Sequence, residues 1–171
     1  MNRNLIFAPI LVQVLLTLMV YVFLVFAKVR AMKTGLVDMA RRALYDDAWP
    51  EGVIKINNNI RNQFELPVLF YVVSLALWAL DAVGPVGLAA AWLFVASRIV
   101  HAYVHIVPNY VPVRRHVFTF GWLMVVVMTL LAVWDSLDPA PSRWICFSTA
   151  SGDGGRPRNA FIRVLVSRSE P

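Results

Sequence analysis

LIFAPILVQVLLTLMVYVFLVFA (5–27) carries no charged side chain from end to end. A helix crosses a bilayer with about 20 predominantly apolar residues, each rising about 1.5 Å, and this stretch supplies them. A secretory leader has an apolar core of about 7–15 residues followed by a small-residue cleavage site. This run is longer and ends in Lys28, Arg30 and Lys33 without such a site. It reads as a retained membrane-spanning helix. Pro9 falls in its first turn or two, where a missing backbone N–H costs least.

Three further runs follow. One reads as a single helix from about Val53 to Leu80, polar in its first half and apolar from Phe64 on, with Pro67 expected to bend it or break one backbone hydrogen bond. Gly84 and Pro85 mark a short turn. The third run, Val86 to Val107, is rich in Gly, Ala and Ser, which let helix backbones approach closely in lipid. Pro108 and Pro112 bracket the next turn, and the fourth run extends from His116 to Trp134. Of the 171 residues 59% are apolar and 15% charged, against roughly 45–50% and about 25% in soluble domains. The expectation is an all-α membrane protein, a four-transmembrane-helix bundle over residues 1–138. The tail 139–171, with its Ser/Gly-rich stretch and no countable period, is expected to be disordered.

The net charge of +6 does not point to nucleic acid, because the basic residues fall between apolar runs. The first connection (28–52) holds Lys28, Arg30, Lys33, Arg41 and Arg42, the third (108–115) holds Arg114 and Arg115, and the second holds neither Lys nor Arg. The positive-inside bias places connections one and three in the cytoplasm and both termini outside. The membrane is then the inner or plasma membrane, Arg3 argues the other way alone, and the first connection's cations suit a lipid surface. Cys146 has no partner for an intramolecular disulfide.

Ionisable residues inside a span are costly and usually face a bundle interior. Lys55, Asn58, Asn62 and Glu65 recur at three- and four-residue spacing and share one helical stripe. Arg98, His101 and His105 form a second stripe. A buried arginine needs an anion, and by depth Glu65 is the expected partner of Arg98. His101 and His105 also have the i, i+4 spacing of a metal pair, but Ala102 stands where a metalloprotease has Glu. No third ligand is evident except His116, so no metal is expected. Arg114, Arg115 and His116 open the fourth helix, where cations can meet lipid phosphates or an anionic ligand.

The segments NNNIRNQFELPVLFY (57–71) and SRIVHAYVHIVPNYVPVRRHVF (97–118) resemble the second helix, and the third helix with the following turn, of the MAPEG family, the membrane-associated proteins of eicosanoid and glutathione metabolism. The resemblance covers roughly residues 5–137. It implies a homotrimer that binds glutathione as co-substrate near the cytoplasmic side, between subunits. Asn62, Glu65 and Arg98 match residues that contact or support the peptide. Arg114 matches the arginine near the thiol, where a cation favours thiolate. This chain has Asn58 where active members carry Arg, Lys55 where another Arg often sits, and His105 and Phe118 at frequent tyrosine positions. Two readings follow: a glutathione-dependent transferase or peroxidase acting on lipophilic electrophiles, or a non-catalytic protein binding a small lipophilic ligand or a partner. A small transporter subunit using Glu65, Arg98 and His101 as a relay is a third.

Overall fold

In the computed structural model, which describes residues 1–137, four helices follow one another: α1 (Phe7–Lys33), α2 (Glu51–Ala79), α3 (Pro85–Ile106) and α4 (Val111–Leu137). All four are long and apolar enough to cross a membrane. The tail expected to be disordered, with Cys146, lies outside the described residues.

Local chemistry sets the helix ends. Gly35, at φ +67°, turns the chain out of α1, and the Leu36 and Gly35 N–H groups return to the Ala31 and Met32 carbonyls. This double return is the Schellman closure, which favours glycine because no Cβ opposes positive φ. Asp81 plays the same part after α2 at φ 54°, with Ala82 N–H on Leu77 and Asp81 N–H on Trp78. Pro85 opens α3, where proline's missing N–H is one of the helix's unpaired donors in any case. One boundary differs from the sequence reading. The fourth helix begins at Val111, so Arg114 and Arg115 lie inside its first turns. Pro112 is tolerated there for the reason that applies at Pro85. The second helix runs unbroken past a buried Pro67, as membrane helices allow when neighbours compensate for the freed backbone group.

Side-chain pairs fix an alternating up-and-down order. Along α1 and α2, Phe7 meets Trp78, Gln13 meets Gln63, and Lys28 lies against Trp49 just before α2. Between α2 and α3, Phe70 stacks on Phe94 at 4.3 Å. The third and fourth helices touch through Ser97 and Gly121, where a methyl on the glycine would lie 2.7 Å from the Ser97 Oγ. The inward stripe of α3 is small in its first half, with Gly87, Ala90 and Ala91 buried. Van der Waals packing rather than hydrophobic force holds helices together in lipid, so such close approach is how they adhere.

The core divides into two apolar clusters with a polar layer between. One cluster, towards the α2–α3 turn, holds Leu66, Phe70, Leu77, Phe94 and Met128. The other, towards the first connection, holds Val20, Leu24, Val53, Ile56 and Ile60. Between them are buried Gln13, Asn59, Gln63, Arg98 and His101.

Candidate functional site

The polar layer has two parts. Between α1 and α2, Gln13 Nε2 donates to Gln63 Oε1 at 2.8 Å, and Gln63 Nε2 donates to Asn59 Oδ1 at 3.3 Å. Thr17 bonds back to the Gln13 carbonyl at 3.1 Å. The sequence reading passed over these amides. Gln13 was the available signal, the lone amide in the uncharged run 5–27, and Asn59 and Gln63 stand one helical turn apart.

The second part lies among α2, α3 and α4. Small and apolar residues recur every three or four positions on α3 from Gly87 to Phe94, and the same face carries Arg98, His101 and His105 inward. Arg98 is fully buried, at 0% exposure. Its Nη2 donates to the Asn62 carbonyl oxygen at 2.9 Å, and its guanidinium lies 5.8 Å from the centre of the Phe118 ring. Its Nε and Nη1 have no hydrogen-bond partner among the described residues. Neither ring nitrogen of His101 is paired by that geometry, nor is the Nδ1 of His105. The His101 ring lies 5.8 Å from both the His105 and the Phe118 rings.

A cleft of about 290 Å³ opens beside this group, lined by Asn62, His101, Val111, Arg114, Arg115 and Phe118. Arg114 is held at its edge by Asn109, whose Oδ1 accepts from the arginine Nη1 at 3.0 Å. Asn109 itself is at φ 48° in the α3–α4 turn, with its N–H on the Val104 carbonyl at 2.7 Å. The turn geometry thus aims Arg114. A cleft lined by the half-buried Arg114, the exposed Arg115, the His101 imidazole and the Phe118 ring, with the buried Arg98 beside it, suits an anion with an apolar portion.

The expected ion pair between Arg98 and Glu65 does not form. Arg98 meets a backbone carbonyl instead, and Glu65 acts on its charge only at longer range. The physical reason is azimuth. The buried face of α2 runs through Ile56, Asn59, Gln63, Leu66 and Phe70, so Glu65 points outward and is exposed. Of its expected stripe, Asn62 reaches the cleft. Asn58 is half-buried away from it, and Lys55 pairs with Glu51 at 2.7 Å. His105 lies one turn from His101, while His116 bonds to the Pro112 carbonyl of its own helix. Among the described residues no three His, Cys, Asp or Glu side chains are grouped to hold a metal.

That outward polar face is unusual for its depth. Lys28, which ends the uncharged run of α1, sits over the Trp49 ring at 5.0 Å. Asn58, Asn62 and Glu65 therefore lie alongside the uncharged part of α1 and not below it.

No curated protein and no solved structure matches the chain. A match does come from the MAPEG family model, which spans residues 6–134, from the start of α1 to the last turn of α4. With four membrane-length helices and the Arg98 stripe inside that span, the chain belongs to the MAPEG family.

Proposed function

We propose that this integral, multi-pass membrane protein binds an amphipathic anion, its acidic group on Arg98 and Arg114 and its apolar part leaving past Phe118 and Val111 into lipid. The observation that carries the reading is the Arg98 guanidinium, fully buried with its Nε and Nη1 unpaired among the described residues. A buried ion forfeits several kcal/mol of solvation, and a single backbone carbonyl offsets only part of that. An acid group entering the cleft supplies the missing acceptors and the opposite charge.

Glutathione-dependent transfer to lipophilic electrophiles is the second reading. Family membership supports it, as does the placing of Asn62 and Arg114 on one cleft with Arg98 beside it. Arg114 is the cation that would favour a thiolate there. Against it, Lys55 is tied to Glu51, and the amide of Asn58 offers no charge to a peptide carboxylate. A relay through Glu65, Arg98 and His101 has less support, because the stacked Phe70–Phe94 pair and its apolar cluster fill the bundle beyond Arg98.

Assembly belongs to the same proposal. Exposed Glu65 and half-buried Asn58 at the depth of the apolar span are costly against lipid, and a homotrimer covers them. The inner or plasma membrane is the proposed location, with 28–52 and 108–115 in the cytoplasm.

Calorimetric titration of the detergent-purified protein tests the reading, using glutathione and a long-chain fatty acid in parallel with Arg98→Ala as control. Saturable binding of the fatty acid that disappears in the variant is expected. Binding of glutathione alone, with turnover of an electrophile that Arg114→Ala abolishes, establishes the second reading. Binding of neither ligand sinks both.

A further inference from the structure

The connection between α1 and α2 carries features that the cleft does not use. Its ends are stitched together by the Asp38 N–H on the Ala48 carbonyl at 3.1 Å, and Val37 and Ala48 are buried against the helices. Trp49 pins it further, with its ring under Lys28 and its Nε1 donating to the Arg42 carbonyl at 3.3 Å. The segment is therefore a held shape.

Its acids are consumed internally. Asp38 Oδ1 accepts from the Ala40 and Arg41 N–H groups at 3.1 and 3.3 Å. Asp47 pairs with Arg41 at 2.9 Å, and Asp46 with Arg61 at 2.6 Å. Arg30, Lys33 and Arg42 form no ion pair among the described residues, and the Arg42 side chain rests on the Met32 sulfur at 3.1 Å. The surface thus shows unopposed positive charge. Interleaved with it are large apolar side chains facing outward: Leu36, Met39, Tyr45 and Leu44, the last 85% exposed.

From this combination we infer that the connection lies in the headgroup layer and binds anionic phospholipid, with the phosphate held by Arg42 and Lys33 and with Leu44 and Leu36 inserted among the acyl chains. Charge complementarity selects the occupant. A partner protein surface would have to be both acidic and apolar, whereas an anionic lipid is both, and two membrane-spanning helix ends already hold the segment at the interface. The site is separate from the cleft, and its failure leaves the proposed function untouched.

Spin labels at Leu36→Cys and Leu44→Cys, introduced singly with Cys146→Ser, report the depth of the segment in the full chain. The protein is reconstituted in vesicles of phosphatidylcholine with phosphatidylglycerol and in vesicles of phosphatidylcholine alone. Labels more accessible to oxygen than to a water-soluble nickel chelate, and deeper where phosphatidylglycerol is present, are the expected result. Labels freely reached by the chelate in both vesicles overturn the inference. So do labels shielded from both reagents, which means a second protein surface covers them. Native mass spectrometry adds a measurement that does not depend on the labels. Arg42→Gln is expected to weaken phosphatidylglycerol retention about fivefold while leaving phosphatidylcholine unchanged, and equal retention by variant and parent counts against the site.

Discussion

Arg98 concentrates the tension between stability and function in one side chain. It is fully buried, makes one hydrogen bond to the Asn62 carbonyl, and leaves two of its three nitrogens unpaired among the described residues. A side chain kept for stability alone would be poorly chosen, since replacing even a buried ion pair with packed apolar residues is often neutral or stabilising by about 1–4 kcal/mol, and Arg98 has no ion-pair partner among the described residues. Arg98→Met is therefore expected to keep or raise the thermal midpoint in detergent. At about 100 times its Kd, a ligand stabilises the parent by about 2.7 kcal/mol, and the variant should gain nothing. A large fall in the ligand-free midpoint of Arg98→Met would falsify the view that Arg98 serves a ligand and make it a structural anchor. The inward place of Arg98 was legible in the sequence, because it continues a stripe that begins with small residues at Gly87. The outward place of Glu65 was not. Apolar side chains face both lipid and core in a membrane helix, so hydropathy gives depth but not azimuth, and the three- and four-residue spacing of Asn62 and Glu65 fits either face.

At the scale of elements, the contact of α3 with α4 rests on a glycine that the sequence reading left aside. Gly121 faces Ser97, whose Oγ donates to the Phe94 carbonyl at 2.6 Å, and a Cβ on residue 121 would meet that oxygen at 2.7 Å. Gly121→Ala forces the hydroxyl out of its bond, at an expected cost of about 1 kcal/mol. Adding Ser97→Ala removes the obstructing atom and should restore most of the loss, since the other neighbours of that Cβ lie at 3.7 and 3.8 Å. Equal losses in the single and double variants, read from midpoints in detergent, would place the strain elsewhere. The four spans were readable from hydropathy because length and apolarity are one-dimensional properties. The early start of α4 was hidden by Pro112, which reads as a turn residue yet fits a helix's first turn. The Gln13–Gln63–Asn59 ladder was hidden because amides on separate helices show their pairing only once the helices are set side by side.

For the whole molecule, the distribution of charge between the two ends of the bundle decides how it sits in the membrane. One end carries Lys28, Arg30, Lys33, Arg41 and Arg42, with Arg114 and Arg115 on the same side of the alternating helices. The opposite end carries Arg3, the residue that argued for the reverse orientation. Arg3 lies 3.6 Å from Asp81 and 5.0 Å from the centre of the Trp78 ring, while Trp78 donates to Asn4. One cation at that end is a poor counterweight to the seven at the other. Positive residues in short connections set orientation, so the end bearing the first connection should face the cytoplasm. Single cysteines at Asn2 and Met39, each with Cys146→Ser, make this testable with a membrane-impermeant maleimide. Asn2→Cys is expected to label in intact cells, and Met39→Cys only after permeabilisation. The reverse pattern would turn the cleft to the other side of the membrane, away from cytoplasmic glutathione, and leave a lipophilic anion arriving through the bilayer as the ligand able to reach Arg98.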